Sequence, residues 1–175
     1  MATINSVNNQ LGPNSSLLMS AAGAMTLAQQ PCFLAYLSTT AGNVTGDGSS
    51  YKIPFDIVLF DKTNSYDPDN GNFICPQTGI YQFDGCVNLA AGNISTATYF
   101  QIKVDTDDHV FYPVQINPNV ATISAGLSMP FSLKAHMNYA DIANVTVTVG
   151  GLLTATVGIG GSNSLITYFS GALIN

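Results

Sequence analysis

Apolar and polar side chains alternate through much of the chain. Tyr81, Phe83, Val87 and Leu89 stand against Gln82, Asp84 and Asn88, and Val145, Val147 and Val149 against Asn144, Thr146 and Thr148. From Val120 to Lys134 the odd positions are Ala121, Ile123, Ala125, Leu127, Met129, Phe131 and Leu133, while the even ones are mostly Ser, Thr and Gly. A period of two predicts half-buried strands. Shorter strands are expected at Phe33–Thr39, Tyr51–Phe60, Phe73–Cys75, Ala97–Val104, Val110–Ile116 and Ile166–Ile174. Turn residues separate them at Gly46-Asp-Gly, Asp67-Pro-Asp-Asn-Gly, Gln77-Thr-Gly, Asn117-Pro-Asn and Gly160-Gly-Ser-Asn. Many short antiparallel strands with no helix between them predict an all-β sandwich or jelly roll. In Leu165–Ile174 both faces are apolar, so one side belongs to the core and the other needs a second cover, for which another subunit is a candidate.

Composition narrows the function classes. The 175 residues carry four Lys, ten Asp, no Arg and no Glu, with a net charge of -6, and 46% of positions are hydrophobic. Without a basic stripe there is nothing to displace counterions from phosphate, which argues against nucleic acid. High hydrophobicity with 17 Phe and Tyr argues against disorder. No apolar run reaches membrane-spanning length, and no basic residue precedes Lys52, so neither a membrane span nor a secretory signal is expected. Three cysteines without CxxC spacing argue against a metal ribbon; Cys32, Cys75 and Cys86 are expected as free thiols in packing roles.

Residues 1–31 differ in character and read as a neck or stalk, leaving 32–175 as the domain. Leu18, Ala21, Met25 and Ala28 fit the spacing of a coiled stem, Gly23 opposes it, and an extended stalk remains as good a reading.

The segment Phe60–Phe83 resembles the signature of the complement C1q-like domain. Phe60, Tyr66, Asp67, Pro68, Gly71, Phe73, Cys75, Pro76, Gly79, Tyr81 and Phe83 match, as do Phe33 and Ala35 in an opening strand and Tyr168–Ile174 in a closing one. The resemblance implies a jelly roll of about ten strands in the tumour-necrosis-factor-like class, assembled as a homotrimer with its first and last strands near the axis. Phe33, Tyr36, Ile166, Tyr168 and Ile174 are then the expected trimer contacts. The first 46 and last 34 residues are uncharged, which suits an interface, and the Asp-bearing middle reads as the exposed working surface. The neutral lead-in, without collagen repeats, looks like the version found at the ends of bacterial, phage and viral fibres.

Candidate chemistry is sparse. Asp105, Asp107, Asp108 and His109 form the densest cluster. The cluster suits either a calcium site or a solvated acidic turn, and the turn is expected because calcium wants six to eight oxygens and the chain lacks Glu. His109 and His136 lack a nucleophile context such as GxSxG. The resulting expectation is a non-enzymatic trimeric head, extracellular on a virion or bacterial surface fibre, with no cofactor, no nucleic acid and no membrane insertion. It would bind a cell-surface glycan or protein receptor through Ala90–Thr96, Asp105–His109 and Gly150–Asn163, with Asn93 among the contacts. A ligandless trimerisation cap is the alternative, and a glycan hydrolase a third reading.

Overall fold

The structure, a computed structural model, describes residues 30–90, 93–118 and 126–174. The suggested stem lies outside the described residues. The elements are β1 (Cys32–Tyr36), β2 (Ala41–Thr45), β3 (Ser50–Lys52), β4 (Ile57–Asp61), β5 (Tyr66–Asp67), β6 (Asn72–Ile74), β7 (Gly79–Leu89), β8 (Tyr99–Thr106), β9 (Val110–Ile116), β10 (Leu127–Met137), β11 (Ile142–Gly150), β12 (Val157–Ile159) and β13 (Tyr168–Leu173). A 3-10 turn, Asn93–Thr96, precedes β8.

Two antiparallel sheets form. In the first, β4, β1, β13, β7 and β10 lie side by side, and β12 with β2 continues the sheet at the far end of β7. In the second, β5, β6, β11, β8 and β9 follow one another, and β3 pairs with β11. The expected jelly-roll sandwich is thus present, with several strands of only two or three residues. Among the described residues no helix is long and apolar enough to cross a membrane.

The alternating strands turn their apolar sides inward as the pattern requires. Tyr81, Phe83, Val87 and Leu89 of β7 are buried, as are Val145, Val147 and Val149 of β11. The expected strand Tyr51–Phe60 is instead two strands in different sheets. Pro54 has no N–H to donate to a ladder, and the chain crosses the core there with Ile53 and Phe55 fully buried. The amide of Ile53 donates to the carbonyl of Val145 in the second sheet, while Ile57 already pairs with Tyr36 in the first.

Aromatic rings fill the space between the sheets. Phe33 stacks on Tyr66 at 5.0 Å and on Phe73 at 4.9 Å, and meets Phe169 edge-on at 5.2 Å. Two inward-facing glycines make room for rings. A Cβ on Gly85 would stand 2.4 Å from Phe131, and one on Gly171 would stand 2.6 Å from Phe33. Gly71 adopts φ 63° beside the Ile53 carbonyl, a left-handed turn that favours glycine.

Candidate functional site

The outward side of the first sheet is the most unusual surface of the molecule. Register aligns its side chains into rows that cross the sheet. One row reads Ile57, Tyr36, Tyr168, Cys86, Pro130, apolar from edge to edge. The next reads Phe60, Leu34, Ser170, Asp84, Ser132, and the one after it Cys32, Ala172, Gln82, Lys134. The face therefore divides into an apolar half on β4, β1 and β13 and a more polar half on β7 and β10. Ile57 is 41% exposed, Leu59 57% and Phe60 45%, large values for apolar side chains so close together.

A shallow depression of about 220 Å³ lies where the halves meet, between Leu34, Phe60 and Ala172 on one side and Gln82 and Asp84 on the other. The Gln82 amide fixes the polar half, donating to Ser132 Oγ at 2.6 Å and to the Asp84 carboxylate at 3.2 Å. Further along, Asn88 donates to Ser128 Oγ at 2.7 Å.

The five expected trimer contacts do not stay together. Tyr36 and Tyr168 are neighbours in the apolar row, and exposed Ile174 follows β13 on the same side. Ile166 is half-buried just before β13, toward the opposite end of the face. Phe33 points the other way. It is 1% exposed within one protomer, inside the aromatic core, and it is replaced on the face by its neighbours Cys32 and Leu34. Phe60, noticed only as a signature position, is part of the face while most other signature aromatics are core.

The expected recognition loops are also separated. Asp105–His109 lies at the end where the described chain begins. There β8 ends opposite Ala143, Gln30 Nε2 donates to the Leu173 carbonyl, and the Leu173 amide donates to the Pro31 carbonyl. Its acids are engaged by their own chain. Asp105 pairs with Lys103 at 3.1 Å and accepts from Thr146 Oγ1. Asp107 accepts the Ile142 amide at 3.1 Å, and Asp108 accepts from the Asn138 side chain at 3.3 Å. His109 closes the turn through its backbone, bonded both ways with Thr106 Oγ1, and its ring leans on Phe111. Asp105, Asp107, Asp108 and His109 thus form a braced acidic turn at the proximal end.

At the distal end, the 3-10 turn begins at Asn93 and Ile94 buries itself in the core. The Thr98 amide donates to the Gly150 carbonyl, and Leu152 donates to Gly46, tying three loops together. Tyr99 lies across Gly150, where a Cβ would meet the ring at 2.1 Å. Leu153 projects fully into solvent. The rest of Gly150–Asn163 is less loop-like than expected, because β12 lies within it, completely buried.

No cysteine forms a disulfide. Cys75 is buried, its thiol donating to the Gln77 carbonyl at 3.0 Å, and burial pushes its pKa up. Cys86 is also raised by burial. Cys86 and Cys32 differ from the expected packing role, since both are half-exposed on the outward face. Cys86 was legible as a polar-side position from its register with Gln82 and Asp84. The apolar company it keeps was not, because that company comes from β13, β1 and β4.

Comparison with known proteins agrees with this architecture. Solved structures with the same fold include murine APRIL, 11% identical with a TM-score of 0.57, covering 83% of this chain and 99% of that one. The globular domain of zebrafish complement 1qA is 16% identical with a TM-score of 0.53, covering 83% and 98%. The PRD1 vertex protein P5 is 14% identical with a TM-score of 0.55, covering 83% and 98%. No curated protein matches. The family model of the C1q domain matches residues 33–134. The chain belongs to the C1q domain family.

Proposed function

We propose that the chain is the non-enzymatic, homotrimeric head of a fibre or surface protein, and that it recognises a cell-surface glycan or protein through loops at its distal end. The observation that carries the assembly is the apolar row Ile57, Tyr36, Tyr168, Cys86, Pro130, which crosses one whole face of the sandwich. An exposed apolar surface of this extent marks a contact with another molecule, and closed rings of identical chains are a common solution. The likeness to a vertex protein of PRD1 supports placement on a virion or a comparable fibre.

Recognition belongs to the distal loops on this reading, around Asn93–Thr96, Tyr99 and Gly151–Thr156. The ionised residues at this end, Asp47 and Asp56, are each bonded to a serine, Ser49 and Ser38, so hydroxyls, amides and the Tyr99 and Leu153 side chains provide the contact chemistry. Three weak sites on one trimer would bind a dense surface through avidity. Light scattering tests the assembly; a species of 18.3 kDa at micromolar concentration would overturn it. Binding of the assembled protein to glycan arrays and whole cells tests recognition, and uniform absence of binding favours a ligandless cap.

A further inference from the structure

Two ionised side chains stand in the polar half of the outward face, Asp84 on β7 and Lys134 on β10. Asp84 is opposite Ser132 and Lys134 is opposite Gln82, so they are diagonal neighbours, a spacing of roughly 7 Å between side-chain origins. They do not pair within the protomer. Among the described residues the ion pair is Lys103 with Asp105. Gln82 reaches both Asp84 and Ser132 and stands between acid and base. The other titratable groups on this side are the Cys32 and Cys86 thiols, the Tyr36 and Tyr168 phenols, exposed His136 near the proximal end, and Lys62 at the rim beyond β4.

A second copy that covers the apolar row also removes water from Asp84, which shares a row with Leu34 and Phe60 and lines the same depression. A buried charge left unpaired is costly to an assembly, and a well-bonded opposite charge offsets part of that cost. In a closed ring of three identical chains each contact joins one patch to a different patch of the next chain. Two lysines on this side could meet Asp84 from a neighbouring copy, Lys134 on β10 and Lys62 beyond β4, and Lys134 is the one on the polar half of the face. We propose that Asp84 of each copy pairs with Lys134 of the next, so that three ion pairs between chains set the register of the assembly. This rests on the trimer reading above.

Two single reversals, Asp84→Lys and Lys134→Asp, test it by sedimentation or light scattering. Each variant alone should have a trimer dissociation constant at least tenfold above wild type. The equimolar mixture of the two should recover assembly in part, because a mixed ring of three has two junctions between unlike chains, which bring opposite charges together, and one between like chains, which does not. The double reversal in one chain should assemble like wild type, which also controls for misfolding. Wild-type-like assembly of both single variants would overturn the pair while leaving the trimer standing. Full rescue by the double reversal with no gain at all on mixing would also overturn it, since that would place the pair within one chain. A monomeric wild type would overturn the trimer and the pair together.

Discussion

Asp61 accepts the backbone N–H groups of Thr63 at 3.1 Å, Ser65 at 2.6 Å and Tyr66 at 2.7 Å, and the Ser65 hydroxyl at 3.2 Å. One carboxylate thus shapes the turn that delivers Tyr66 to the core. Asp61→Ala leaves those donors unsatisfied and should lower unfolding free energy by about 3 kcal/mol in urea titration, whereas Asp61→Asn, which keeps an acceptor oxygen, should lose less. Equal losses would show that the carboxylate's hydrogen bonds are not what matters. Tyr66 itself presents the opposite case. Its hydroxyl is buried with no hydrogen-bond partner, and burial holds its phenol pKa far above the ordinary value despite the nearby Phe55 backbone. Removing an unsatisfied polar atom relieves a desolvation cost, so Tyr66→Phe should be neutral or stabilising by up to about 1 kcal/mol. A clear loss of stability would reveal a partner for that hydroxyl.

Strands β7 and β13 carry the structure because each serves both surfaces. Their inward side chains build the aromatic core, while their outward ones form the middle of the candidate interface. Gly85 is where the two requirements meet: it lies opposite both Phe131 and Phe169, and an added Cβ would also stand 2.7 Å from the Tyr168 carbonyl. Gly85→Ala should therefore destabilise by about 1–3 kcal/mol through overpacking, read by thermal or urea unfolding, and an unchanged midpoint would mean that the sheet can move aside. The two outward cysteines provide a reporter of the same elements. Cys32 and Cys86 should react with a maleimide in dissociated protein and be protected in the assembly, while buried Cys75 should stay unlabelled in both until unfolding. Labelling of Cys86 at equal rates in both forms would place the interface elsewhere.

At the scale of the whole molecule, acidity acts through a few depressed carboxyls. The hydroxyl and N–H of Ser49 hold Asp47 below its ordinary 3.8. For Asp67 the largest cause is the Asn70 side chain. Partial burial works against the charge on Asp56, but the hydroxyl and N–H of Ser38 outweigh it. A carboxyl with a folded pKa below its unfolded one stabilises above the unfolded value and loses that contribution as pH falls through the folded value. At the other extreme, Cys75 and Cys86 are raised above 9.0 by burial, so their contribution is full below that value and is lost as pH rises through the folded pKa. Chemical unfolding should accordingly show nearly constant stability from about pH 5 to pH 8, with losses below about pH 4 and above about pH 9. A steep change near neutrality would contradict this account. The charge layout also alters one expectation: β1 and β13 are uncharged and adjacent, as an interface would have them, but the same face recruits Asp84 and Lys134 from the charged middle of the chain.

Most strands, their inward sides and the family were legible along the chain, because alternation and turn residues are local properties, whereas the break within Tyr51–Phe60 and the strand β12 inside Gly150–Asn163 were not. Tyr81, Phe83 and the valines of β11 were legible for that reason, and so was the polar register of Cys86. Only the tertiary structure decided which outward residues become neighbours. Phe60 joins Leu34 through a strand pairing with an irregular register, and Phe33 sits in the core rather than on the outward face because the pleat turns it inward. Asp105–His109 moves to the proximal end because the β10–β11 and β8–β9 turns lie at the same end as the start of β1. Those placements depend on contacts between residues distant in the chain, and no periodicity within a single segment encodes them.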